Sequence, residues 1–296
     1  MRLVAAQIAV STDRTGRLRG DHRRRGNVRA MPADSALDFT GKTVIVTGGT
    51  KGLGQGITTA FLERGANVVI CARNPPEAPV GAGGREAVFV QCDVRDPEQV
   101  KAVAQAAIDR FGRIDVLVNN AGGAPPADSA TVSPRFNERI IALNLLAPIT
   151  FAQAVHGAMT AQDTGGVILN IASVSGTRPN PAGVAYGAAK AGLLNVAETL
   201  ATEWGPKIRV LTVTVGLIVT DEAHLYYGDA EGTARVANTI PARRMGTPAD
   251  IADVVLFLAS PMARWMTGTN VMVHGGGEIP AYLAASTGEV TRVHKS

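Results

Sequence analysis

Seven short apolar runs, each four to six residues long, punctuate the chain: Thr43–Val46, Val68–Cys71, Ala87–Val90, Ile114–Val118, Val167–Ile171, Ile208–Val213 and Asn270–Val273. Most are unbroken and rich in valine and isoleucine, the pattern of a strand buried on both faces. The stretches between them carry a helical period instead. One runs to Arg64, one over 98–111 with Val100, Val103, Ala107 and Ile108 on a shared face, one over 134–160, and one over 182–203. A last one opens at Pro248, a first-turn residue after the cap Thr247. Strands alternating with covering helices predict an α/β fold: one domain holding a doubly wound parallel sheet of about seven strands with helices on both faces.

The pattern lapses in four places. Residues 74–86 contain Pro75, Pro76, Pro79, Gly81, Gly83 and Gly84, which no ordinary helix survives, so this crossover is expected to be a loop. Residues 221–245 are polar and irregular, with His224, Tyr226 and Tyr227; the span 217–245 is read as a lid over a substrate pocket, His224 having a surface role. A tail, 278–296, starts with apolar Ile279–Leu283 and is expected to pack on a neighbouring subunit or over the pocket. Residues 1–38 show neither period and are expected to form a basic, disordered or artefactual extension, leaving 39–277 as the domain. Arg23, Arg24 and Arg25 lack the apolar run of an export signal; the Arg-rich, acid-poor composition fits a transit peptide in part, and Met31 offers an alternative start.

That extension changes the meaning of the charge. Residues 1–30 hold eight arginines against Asp13 and Asp21, so they carry +6 of a net +4 and the remaining 266 residues sum to −2. The folded body is therefore not read as a nucleic-acid binder. Hydrophobic content of 46% with 18% charged residues describes a globular chain. No uninterrupted apolar run approaches the ~18–20 residues of a membrane span, and a cytoplasmic location is expected. Two cysteines, Cys71 and Cys92, exclude a disulfide scaffold; they read as small apolar residues at strand ends in a reducing compartment, and no metal site is expected.

The chemistry gathers at the ends of the predicted strands. The first runs into Thr47-Gly48-Gly49-Thr50-Lys51-Gly52-Leu53-Gly54 and then a helix. Glycines there let backbone approach a pyrophosphate, and the helix N-terminus offers it free N–H groups, as in a Rossmann-like nucleotide site. After the second strand, where an acidic residue would bond the ribose 2′-hydroxyl of NAD, stands Arg73; with Lys51 it suits a 2′-phosphate, which favours NADP while leaving NAD possible. Asp93 ends the third strand, either to accept from an adenine amino group or to cap the next helix. Asn119-Asn120-Ala121-Gly122 ends the fourth and Ser173 the fifth. Tyr186 and Lys190 lie one helical turn apart, so the ammonium can favour the phenolate and bring a phenol of pKa ~10 toward use in proton exchange.

Thr47-Gly48-x-x-x-Gly52-x-Gly54, Asn119-Asn120-Ala121-Gly122, Asn144, Ser173 and Tyr186-x-x-x-Lys190, in that order, resemble the signature of the short-chain dehydrogenase/reductase family over about residues 39–277. The resemblance implies catalytic roles for Asn144, Ser173, Tyr186 and Lys190. Tyr186 would be the general acid or base; Lys190 would hold the nicotinamide ribose and depress the phenol pKa. Ser173 would donate to the substrate oxygen, and Asn144 would support a proton-carrying water. The cofactor-binding positions it implies are Gly48, Thr50, Lys51, Gly52, Leu53, Gly54, Arg73, Asp93, Val94, Asn120, Ala121, Gly122, Tyr186, Lys190, Gly216, Ile218 and Thr220. The sequence departs from the family at Val215, where proline is usual, at Leu211, where asparagine is usual, and at His274, where aspartate is common.

The expected function is therefore NADP-preferring hydride transfer between a secondary alcohol and a ketone of lipid-, steroid- or acyl-thioester-like character. The alternatives are a nucleotide-sensing protein without turnover and an epimerase or lyase that borrows the cofactor. A homotetramer or homodimer is the family expectation, through helices around 134–160 and 182–203.

Overall fold

A computed structural model describes residues 36–220 and 227–285. Most of the N-terminal extension, His224, Tyr226 and the end of the tail lie outside those residues. Seven strands form one sheet: β1 (Thr43–Thr47), β2 (Asn67–Ala72), β3 (Val88–Gln91), β4 (Val116–Asn119), β5 (Gly166–Ser173), β6 (Ile208–Val215) and β7 (Asn270–Val273). Their order is β3-β2-β1-β4-β5-β6-β7 and every adjacent pair is parallel. The order reverses between β1 and β4, the kind of switch point at which open α/β sheets bind ligands beyond the carboxyl ends of the strands.

The helices are α1 (Gly52–Glu63), α2 (Pro97–Phe111), α3 (Pro134–Ile141), α4 (Ala147–Ala161), α5 (Val184–Trp204), α6 (Ala230–Ala237), α7 (Pro248–Ala259) and the short α8 (Ala281–Ala285). Side chains alternate across a strand, so β1 sends Val44 and Val46 into a core shared with Ile57 and Phe61 of α1 and Val255 of α7. Ile45 goes the other way, into a core with Val103 of α2, Phe151 and Val155 of α4, and Ala197 of α5. These two cores explain why the strands read as unbroken apolar runs.

Local signals placed the helix ends well in one case and poorly in another. Thr247 and Asp250 form a reciprocal capping box at α7 with Pro248 in its first turn. At α2 the cap is Asp96, whose carboxylate accepts from the N–H groups of Glu98 and Gln99; Asp93 does not cap it. Residues 74–86 are not wholly loop, since Gly81–Ala82 and Arg85–Glu86 pair as a small antiparallel ribbon. The 221–245 segment is not wholly irregular either: Asp229 caps α6 by accepting from Gly232 N–H.

The expected helix over 134–160 departs in two ways. Ala142–Leu146 is a turn of π-helix between α3 and α4. The combined stretch Pro134–Ala161 is also long and apolar enough, by length and composition, to cross a membrane, although no uninterrupted apolar run reaches that length. Here Phe151, Val155 and Met159 are buried in the core against the sheet, as in a core helix.

A buried carboxylate ties three strands together. Asp115 accepts from Thr43 N–H (2.9 Å), from Arg113 Nε (2.7 Å) and Nη2 (2.6 Å), and from Lys42 Nζ (3.2 Å). Its backbone bonds to Thr43 O and Val167 N–H, joining the starts of β1, β4 and β5. Burial pushes its pKa up, but the hydrogen bonds from Arg113 and Thr43 and the nearby Lys42 outweigh that, and the net shift is downward. Asp115→Ala strands the Thr43 N–H and is expected to cost about 2–3 kcal/mol in urea unfolding. Because the folded pKa is depressed, the wild-type advantage holds above the unfolded carboxylate value and disappears as pH falls through the folded one. An unchanged urea midpoint at pH 7 would refute this role.

Candidate active site

At the switch point the chain leaves β1 and enters α1 through the glycine turn. This turn can close so tightly only because Gly54 lacks a side chain: a Cβ there would lie 2.1 Å from Gly48 O. Thr47 at the end of β1 anchors the neighbouring β4 turn. Its Oγ1 accepts from the N–H groups of Asn120 and Ala121, both at 2.9 Å, while Asn120 Nδ2 donates to Thr47 O at 2.9 Å. One strand further along, Asn119 Nδ2 donates to Asn170 Oδ1 (2.9 Å). The asparagines thus lock neighbouring strands by side-chain bonds, as the sequence suggested.

These turns border a cleft of about 440 Å³, within the usual range for a ligand site of ~300–1,000 Å³. Gly48, Thr50, Lys51, Gly52, Leu53 and Gly54 line it from the β1–α1 turn. Arg73 joins from the end of β2, Asp93 and Val94 from beyond β3, Asn120, Ala121 and Gly122 from beyond β4, and Thr220 from beyond β6. Five residues that sequence reasoning did not assign to the site also line it: Cys71, Ala72, Cys92, Arg95 and Leu143. Both thiols are buried and free of any disulfide. Arg95 hydrogen-bonds both oxygens of Asp93. That contact, with Arg73 nearby, holds the Asp93 carboxyl at about 2. Its only local signal was position, two residues after an aspartate.

Four predicted cofactor positions do not line this cleft: Gly216, Ile218, Tyr186 and Lys190. Ile218 lines a separate cavity of about 190 Å³ with Ile240, Arg244 and His274. Gly216, just past β6, packs against His274, whose Cα would lie 2.7 Å from a Cβ at 216.

The proposed acid–base pair adjoins the cleft at Gly122. A Cβ on Gly122 would meet Asn144 Oδ1 at 2.7 Å and Lys190 Nζ at 3.3 Å, so a side chain here would displace Asn144 and crowd Lys190. Lys190 is 4% exposed. Its Nζ donates to Ile171 O of β5 at 2.7 Å and stands 5.6 Å from the centroid of the Tyr186 ring. Burial brings its pKa down from 10.5 to about 8. Asn144 is fully buried in the π turn. Its Nδ2 donates to Ile140 O and Gly123 O, both at 2.9 Å, and its Oδ1 accepts from Gly123 N–H at 2.8 Å. Both amide hydrogens are thus spent on backbone, and the side chain fixes the loop after β4.

Ser173, the last residue of β5, begins the loop that leads to Tyr186. Its Oγ accepts from Ser175 N–H at 3.2 Å. Asn180 shapes the rest: it accepts from Ser175 Oγ (3.2 Å) and donates to Gly183 O (3.0 Å). Ala182 takes a φ of 61°, in the left-handed region that costs a side-chain-bearing residue ~1–2 kcal/mol; its carbonyl accepts from Ala127 N–H at 2.9 Å. Among the described residues no group of His, Cys, Asp and Glu could hold a metal ion.

The chain is similar to known proteins over most of its length. Residues 48–278 match a family described as enoyl-(acyl carrier protein) reductase. D-threitol dehydrogenase of Mycolicibacterium smegmatis is 35% identical over 253 residues, 83% of this chain and 96% of that protein. The 2-dehydro-3-deoxy-D-gluconate 5-dehydrogenase of Escherichia coli is 32% identical over 246 residues, 82% and 97% of the two chains. A solved 7α-hydroxysteroid dehydrogenase, in complex with NADH and 7-oxo glycochenodeoxycholic acid, superposes with a TM-score of 0.77 at 32% identity over 84% of this chain and 98% of its own. The ligand-free aldohexose dehydrogenase of Thermoplasma acidophilum gives 0.75 at 29% identity, over 81% and 95%.

Proposed function

The chain belongs to the short-chain dehydrogenase/reductase family and is a nicotinamide-dependent oxidoreductase acting on CH–OH donors; from that premise we propose that it interconverts a secondary alcohol and its ketone with NADP as preferred cofactor. The observation that carries this reading is the contact at Gly122, where the buried ammonium beside Tyr186 abuts the nucleotide cleft. The glycine turn, with its tight Gly54–Gly48 approach, fits a dinucleotide pyrophosphate. A bound nicotinamide supplies or accepts the hydride.

The chain's own residues handle the rest. Tyr186 Oη gives its proton to the carbonyl oxygen in reduction and takes it back in oxidation. Lys190, still mostly protonated at pH 7 with a pKa of about 8, favours the phenolate electrostatically. Ser173 Oγ donates to the substrate oxygen. Asn144 enters as a positioning residue, holding the Gly122–Gly123 turn beside Lys190 and leaving one Oδ1 lone pair for a relaying water. Val184, two residues before Tyr186, and Val219 are exposed apolar side chains that support a ketone with a lipid-, steroid- or acyl-thioester-like body. The exposed Leu146 on the Pro134–Ala161 stretch supports a dimer or tetramer.

The test is hydride transfer from NADPH and NADH to a ketone panel spanning steroids, acyl thioesters and sugar-derived ketones. NADPH is expected to be preferred. Each charge-assisted contact to a phosphate is worth ~1.5–3 kcal/mol, so Lys51→Ala/Arg73→Ala should lower kcat/KM for NADPH about 100-fold and leave NADH nearly unchanged. Equal loss with both cofactors would refute the 2′-phosphate assignment, and NADPH binding without turnover on any ketone would refute catalysis.

A further inference from the structure

Three segments distant in sequence meet at the carboxyl edge of the sheet. The first is the loop from Ser173 to Tyr186, in which Arg178 N–H donates to Val174 O at 3.1 Å. The second is the stretch after α6, and the third is the exit from β7. Backbone bonds join the last two: Ile279 N–H to Thr239 O (2.7 Å) and Ala242 N–H to Gly275 O (3.0 Å). One side-chain pair connects them to the first. Arg178 Nε donates to Glu278 Oε2 at 3.1 Å and Nη2 donates to Oε1, across 100 residues of sequence. Arg178 Nη1 is turned back onto Pro179 O at 3.1 Å.

Two parallel N–H···O bonds between guanidinium and carboxylate fix direction as well as distance. The side chains are 39% and 30% exposed, so the pair contributes little to global stability. Its effect falls on the local opening of the elements it joins. The first of those elements runs from Ser173 to Tyr186, and neither charged group lines the nucleotide cleft or belongs to the proposed acid–base machinery.

We propose that Arg178 and Glu278 are positioning residues: their ion pair clasps the C-terminal segment to the Ser173–Tyr186 loop and thereby sets the substrate mouth. The proposal rests on the reading of Ser173 and Tyr186 as the reacting end of the site. Loss of the clasp weakens substrate binding and leaves the proton transfer and nucleotide affinity alone.

The experiment compares the wild type with Arg178→Glu, Glu278→Arg and the charge-swapped double variant. Each single variant is expected to raise the ketone KM about 2- to 5-fold, the effect of one exposed pair, with kcat and the NADPH Kd within 2-fold of wild type. The double variant should recover most of the loss. In 1 M KCl, where the screening length falls to ~3 Å, the wild-type KM should approach that of the single variants. Amide hydrogen exchange of peptides covering 275–283 gives a second readout that needs no turnover: exchange should quicken in both single variants and slow again in the double. A double variant no better than the singles in exchange, or singles that exchange like the wild type, overturns the clasp even if catalysis is confirmed. Quickened exchange rescued in the double, with no ketone turned over, upholds the clasp and places the failure in the functional reading.

Discussion

Tyr186→Phe is expected to lower kcat for ketone reduction by about 10²–10⁴-fold, the usual worth of a positioned general acid, with NADPH binding and the urea midpoint staying close to wild type. The substitution removes one oxygen from a half-buried ring and leaves its packing in place. Lys190 keeps its bond to Ile171 O, so the cleft bordered by Gly122 is not disturbed. The loss should sit in kcat and kcat/KM alike, because the proton is needed only as the carbonyl becomes an alkoxide. Stopped-flow hydride transfer with nucleotide fluorescence titration separates the two effects. Turnover within 5-fold of wild type in a folded, NADPH-binding variant would remove Tyr186 from the mechanism.

What could be read from the sequence was local. Strand runs such as Thr43–Val46, the glycine turn, the Thr247 cap and the one-turn spacing of Tyr186 and Lys190 are each written within a few neighbouring residues, and local geometry honours them. The features that escaped depend on distant partners. Asp115 reads as one charged residue inside a strand run until Lys42 and Thr43, more than seventy residues away, arrive around it. Asn144 is bonded across 21 residues to Gly123, and a helical period cannot show the π turn that carries it. Asp93 reads as an adenine contact or a helix cap, but the backbone puts Asp96 at the cap and leaves Asp93 to Arg95. Arg178 had no signal at all, since its partner lies 100 residues away.

Lys190→Met is expected to reduce kcat/KM by about 10²–10³-fold, because it removes both the charge that favours the phenolate and a donor toward a bound ribose, each worth ~1.5–3 kcal/mol. Arginine is not expected to rescue it: the slot beside Gly122 and Ile171 O admits a compact ammonium, and a planar fork is larger. The same substitution reveals a pH dependence in the ligand-free protein. Burial lowers the Lys190 pKa to about 8 from 10.5, so between those values the unfolded chain binds a proton that the native chain does not. Unfolding free energy must therefore rise with pH across that window. Below about 8 both states are protonated and the native state bears the full desolvation cost of the ammonium. Lys190→Met lacks this titration, and other groups cancel in the difference between the two proteins. Urea unfolding at pH 7, 8, 9 and 10 should show wild type gaining on the variant at each step above 8. A difference that stays flat, or that moves against the wild type, would mean that Lys190 is not held as a desolvated ammonium, and the electrostatic basis for activating Tyr186 would fall with it.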